Sequence, residues 1–119
     1  MTGARAYVIE ADLVLDDELD AAAVGAAVTV ALCGHWEHDG ACRWPHNSAI
    51  DHARDPARLR TLFVTGEAES AAVNDRIEAT LRNATAWHLV SIRARPLAAA
   101  EHSLAERLLA APRAAVTPG

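Results

Sequence analysis

The sequence predicts an α+β fold of the ferredoxin-like type, βαββαβ with an antiparallel sheet and an additional C-terminal helix. Three observations carry that prediction. Segments of period two and period 3.6 follow one another as strand, helix, strand, strand, helix, strand, helix. At 119 residues, with 51% of them hydrophobic and 23% charged, the chain suits one globular domain and excludes a disordered or fibrous one. Acidic residues in the first strand and arginines in the third and last fall where neighbouring strands of that topology would pair them.

Tyr7, Ile9, Ala11, Leu13 and Leu15 alternate with Glu10 and Asp12, which predicts a first strand over 6–15 with one buried face. Asp16 and Asp17 supply cap-type carboxylates before a helix whose apolar stripe is read as Leu19, Ala23, Ala26, Ala27 and Val30, ending near Cys33 with Gly34 beyond it. Neither period persists over 34–55. Asp39-Gly40 is a hairpin signal, a short edge strand is expected over 48–54, and Asp55-Pro56 turns the chain into a strand over 58–65. Glu67 and Glu69 open a second helix carrying Val73, Ile77 and Leu81, closed by Arg82 and Asn83. A final strand is expected over 86–95 with His88, Val90, Ile92 and Ala94 on the helix-facing side. Pro96 then leads into a last helix bearing Leu97, Leu104 and Leu108 and stopped by Pro112. The domain is expected over 1–112 and a flexible tail over 113–119.

In this topology Glu10 and Asp12 lie on the face away from the helices, flanked by Arg60 and by Arg93 or Arg95, and ion pairing is the expected role of these carboxylates. The same face is expected to carry Val8, Val14, Leu62, Val64, Trp87 and Leu89, more apolar surface than a monomer leaves to water. Either the last helix folds back over it or a second subunit covers it. The reading favours a homodimer through the open sheet face.

Charge and composition narrow the function classes. The net charge is −5, and the eleven cationic residues, all Arg, are scattered, which argues against nucleic acid or a membrane surface as partner. With no Lys, a lysine Schiff base and a P-loop lysine are excluded. No secretory leader is visible, and the small-apolar run from Ala21 to Cys33 is too short to span a bilayer, so the expected location is cytoplasmic. Two cysteines there are thiols or metal ligands rather than a permanent bridge.

One window carries chemistry. Cys33, His35, His38, Cys42 and His46 fall within fourteen residues, with Trp36, Glu37, Asp39, Trp44 and His52 interleaved or close by. Thiolate and imidazole are the borderline-soft donors that hold zinc, and a short loop can fold four of them around one ion. A two-residue turn at Asp39-Gly40 would place His35, Glu37 and Cys42 on one face and Trp36, His38 and Arg43 on the other. The expected ligand core is then Cys33, His35 and Cys42, with His46 or Glu37 completing or neighbouring the site. In an irregular loop His38 returns as a ligand. Four protein ligands make the zinc structural; three leave a place for water, with Glu37 as its proton acceptor and a hydrolase or lyase as the reaction class.

Three alternatives stand beside this. The window is structural, with Cys33 a small buried hydrophobe or the two cysteines joined in a disulfide worth about 2.7 kcal/mol on a chain-entropy estimate. It is a metal-free thiol site, for which Cys42 is the better nucleophile because the negative end of the first helix disfavours a thiolate at Cys33. Or the function lies elsewhere, in a cofactor-independent enzyme or small-ligand binder of the dimeric α/β barrel type. Its pocket would lie on the open sheet face, lined by Trp87, Leu89, Glu10, Asp12, Arg60 and Arg93. His88 is expected to be a hydrogen-bonded core residue.

Overall fold

The computed structural model describes residues 4–17, 20–33 and 44–110, with only the backbone of Cys33 described. It is an α+β fold with an antiparallel four-stranded open sheet and three helices among these residues. The strands are β1 (Ala4–Leu15), β2 (His46–Asp51), β3 (Ala57–Gly66) and β4 (Trp87–Arg95), in the order β2-β3-β1-β4. The helices are α1 (Asp20–Cys33), α2 (Ser70–Arg82) and α3 (His102–Ala110), the last two each preceded by a short 3-10 turn.

The alternation in β1 sends Ile9, Ala11 and Leu13 into the core between the sheet and α1 and α2, where they meet Leu59 and Phe63 of β3. Val73, Ile77 and Leu81, each four residues apart, form the fully buried stripe of α2, as their spacing predicts. In α1 the expected stripe is corrected. Ala21, Val24, Val28, Ala31 and Leu32 are buried, while Ala23 is exposed and Val30 is 44% exposed. The helix is apolar almost all round, so periodicity gives its rotation no clear direction and the larger side chains decide which face packs. Leu19, also assigned to that stripe, lies outside the described residues. The edge strand β2 begins two residues earlier than expected and ends at Asp51.

A second correction concerns β4. Asp12 pairs with Ser91, but the next residue, Leu13, pairs with Leu89, so β4 holds one extra residue at Val90. The bulge reverses the parity of the strand. Ile92 and Ala94 sit opposite Ala11 and Ile9 on the helix-facing side as expected, yet Trp87 and Leu89 also face the helices and are buried. The Trp87 indole N–H donates to the carbonyl of Leu81 at 3.1 Å. His88, expected in the core, is exposed, and Val90 is 53% exposed.

The open face is covered at one end by α3. Val8 of β1, Leu62 of β3 and Ala105 of α3 form a second, small core, with Ala6, Leu97, Leu104 and Leu108 packed around it. The last helix therefore supplies the cover itself at this end. No described helix is long and apolar enough to cross a membrane. The tail over 113–119 and Pro112 lie outside the described residues.

Candidate functional site

Of the metal-window residues, His35, Glu37, His38 and Cys42 lie outside the described residues, as do Trp36, Asp39, Gly40 and Arg43 and the turn expected there. What the structure describes is the root of that segment. The chain leaves α1 at Cys33 and is next described at Trp44, whose backbone N–H donates to the carbonyl of Leu32 at 3.3 Å. The two ends of the segment 34–43 are thus adjacent. Val64 N–H donates to the Pro45 carbonyl at 2.9 Å and fixes the exit against β3.

His46, the first residue of β2, is half-buried and held at both ring nitrogens. Nδ1 lies 3.1 Å from the carbonyl of Trp44 and Nε2 lies 3.3 Å from the hydroxyl of Thr29. A carbonyl only accepts, so Nδ1 carries the proton, and in the neutral ring Nε2 accepts from the Thr29 hydroxyl of α1. Nδ1–H donating to a backbone carbonyl is the arrangement that orients metal-binding imidazoles. Thr29 lies one helical turn before Cys33, and positions 22, 26, 29 and 33 fall on one stripe of α1. Ala22, Gly25, Ala26 and Thr29 line a groove of about 380 Å³ with His46, Asn47 and Ser48 opposite.

Arg76 of α2 braces this root. Its Nε donates to the Ala31 carbonyl at 2.7 Å, and its guanidinium stands over the buried Trp44 ring, 5.5 Å from the centroid. A cation at the last turn of α1 offsets the negative end of the helix, the feature that counts against a thiolate at position 33. Thr29 and Arg76 were both missed by sequence reading. The four-residue spacing of Thr29 and Cys33 was available as a signal for the first; nothing local signals the second.

His52 does not join His46. It lies past the far end of β2, six residues on, about 20 Å of extended chain away. Among the described residues, no group of three or more His, Cys, Asp and Glu side chains is placed to hold a metal.

The other charged cluster is on the open sheet face. Arg60 Nη1 donates to Glu10 at 2.7 Å, and its Nε and Nη2 grip the Glu101 carboxylate, both at 2.7 Å. Arg93 bridges Glu10 and Asp12 at 3.1 Å, Arg95 reaches Glu10 at 3.2 Å, and Arg58 reaches Asp12 at 3.1 Å. The expected pairing of Glu10 and Asp12 with Arg60, Arg93 and Arg95 is present. Arg58 and Glu101 were missed, although Arg58 stands two residues from Arg60 on the same face.

Burial alone would raise the Asp12 carboxyl, but hydrogen bonds from Arg58, Arg93 and Ser91 outweigh it and bring it down to about 2. Glu10 is likewise lowered: burial opposes, and the bonds from Arg60 and Arg95 prevail. Of the residues expected to line a pocket here, only Glu10 and Arg60 border a cleft on this face. Trp87 and Leu89 belong to the opposite face, and Glu10, Asp12, Arg60 and Arg93 are bonded to one another.

No family model, curated protein or solved structure matches the chain.

Proposed function

We infer that this is a small metal-binding protein of the ferredoxin-like type, with zinc held by the Cys/His-rich segment between α1 and β2. The observation that carries the reading is His46, whose proton is directed to the Trp44 carbonyl and whose Nε2 faces the stripe of α1 that ends at Cys33, where a metal would take the place of the Thr29 hydroxyl. The adjacency of Leu32 and Trp44 supports it, because it brings the two ends of the segment, next to Cys33 and His46, side by side. The order β2-β3-β1-β4 with every neighbour antiparallel supports the fold type. Cys33, His35, Cys42 and His46 are the proposed ligands, His38 replacing one of them in an irregular loop. A reducing cytoplasmic setting, in which both cysteines remain thiols, belongs to the same proposal.

Four protein ligands make a structural centre; three leave a water whose proton Glu37 would take. Elemental analysis of the purified full chain tests the proposal. The expected result is near-stoichiometric zinc, lost in Cys42→Ser and in His46→Ala. Metal-free protein with an unchanged circular dichroism spectrum would overturn it.

A second copy on the open face is proposed only as a weak association, too weak to form at micromolar concentration. α3 already covers Val8 and Leu62, so a partner subunit would have to pack on the uncovered end, where Val14 and Val90 are exposed.

A further inference from the structure

We propose a second site, independent of the metal reading, on the open sheet face: a cleft beside β2 that binds the oxyanion group of a small molecule, carboxylate or phosphate. Three rows cross this face. Asp51, Arg58 and Asp12 are neighbours in one, Ala49, Arg60 and Glu10 in the next, and Asn47, Leu62 and Val8 in the third, of which α3 covers Leu62 and Val8. Ala49 is the smallest side chain in the uncovered rows. Over it lies a cleft of about 270 Å³ whose charged walls are Arg54, Arg58, Arg60, Asp51 and Glu10.

The donors of this cleft are unevenly used. Arg60 is spent on Glu10, Glu101 and the Pro96 carbonyl. Arg58 gives only its Nε, to Asp12, and among the described residues neither its two terminal nitrogens nor any nitrogen of Arg54 has a hydrogen-bond acceptor. A guanidinium anchored at Nε by a carboxylate is a fork already oriented, and its outer edge matches the two oxygens of a carboxylate or phosphate. The bond to Asp12 and the partial burial of Arg58 lessen the rotamer entropy that an oxyanion would otherwise have to freeze out.

Charge agrees with this. With the pairs that border the cleft included, Arg54, Arg58, Arg60, Arg93 and Arg95 meet Glu10, Asp12, Asp51 and Glu101, an excess of one positive charge, and Glu10 is already bonded by three arginines. Asp51 is the one opposing charge in the cleft with capacity left, since only its Oδ1 is engaged, by the Ala53 N–H at 3.2 Å. An anion is therefore drawn to a positive pocket on a chain whose net charge is −5.

The test is titration of the full chain at low ionic strength with inorganic phosphate and, separately, with succinate, following the amide and guanidinium resonances of Arg58 and Arg60. Saturable shifts are expected, and the tighter of the two arms names the oxyanion class. Arg54→Gln, an exposed position with no bond to lose, should weaken binding about tenfold, the worth of one charge-assisted hydrogen bond. Ala49→Leu should abolish it by filling the cleft without altering any charge, and Asp51→Asn should strengthen it. Absence of saturation with both anions, or affinities unchanged by Arg54→Gln and Ala49→Leu, would overturn the proposal.

Discussion

Asp12 gathers donors from Arg58, Arg93 and Ser91 while its side chain stays 14% exposed, so its ionised form is favoured in the folded chain over the unfolded one. A carboxylate whose folded value lies near 2 against an ordinary 3.8 contributes stability that is complete above about pH 4 and is lost as pH falls toward about 2. The contribution is on the order of 1–2 kcal/mol once the water still reaching the group is counted. Asp12→Asn should therefore lower the urea midpoint at pH 7 and leave a gap to the parent that narrows between pH 4 and pH 2. A gap constant across that range would show that the ion pairs add nothing. At this scale the sequence was informative where alternation was unbroken: Glu10, Asp12, Arg60, Arg93 and Arg95 could be placed on one face by counting in twos. It misled beyond Val90, because one extra residue in β4 exchanges the faces of Trp87 and His88, and no local residue preference marks the bulge.

Elements with a single dominant stripe were readable, and those without one were not. α2 shows Val73, Ile77 and Leu81 against polar neighbours, and its boundaries and buried face follow from them. α1 offers alanines and valines on every side, so its existence was evident and its rotation was not. α3 is an intermediate case. It begins at His102 after a 3-10 turn from Ala99, later than the start expected at Pro96, so Leu97 packs from the chain before it. Leu104 and Leu108 pack as their spacing indicates, but against the outer face of the sheet, and a covering helix and a covering subunit bury the same residues. A polar clamp adds to that packing: Glu101 accepts two bonds from Arg60 and one from the Ala98 N–H, and Arg60 holds its carboxyl below the ordinary range. Glu101→Gln keeps the shape and removes the charge. It should speed amide exchange through 102–110 while amides in the β1–β3 pairing remain protected, since the latter answer to the main core. Equal loss of protection in both would mean that α3 and the sheet unfold as one unit.

For the whole molecule, the two faces of the sheet have different means of closure. The helix-facing side is sealed by a continuous apolar core that includes Trp44, the first described residue after the Cys/His segment. The outer side is closed by α3 at one end and by paired charges in the middle, and only the end around Val14 and Val90 is left apolar and exposed, at 44% and 53%. Two valines are far short of the roughly 800 Å² per partner that a stable dimer buries. Sedimentation equilibrium of the full chain should therefore give a monomer at micromolar concentration, with Val90→Asp leaving the mass unchanged. A tight dimer dispersed by Val90→Asp would establish the second subunit on this face and would make the bulge at Val90, which turns that side chain outward, part of the interface.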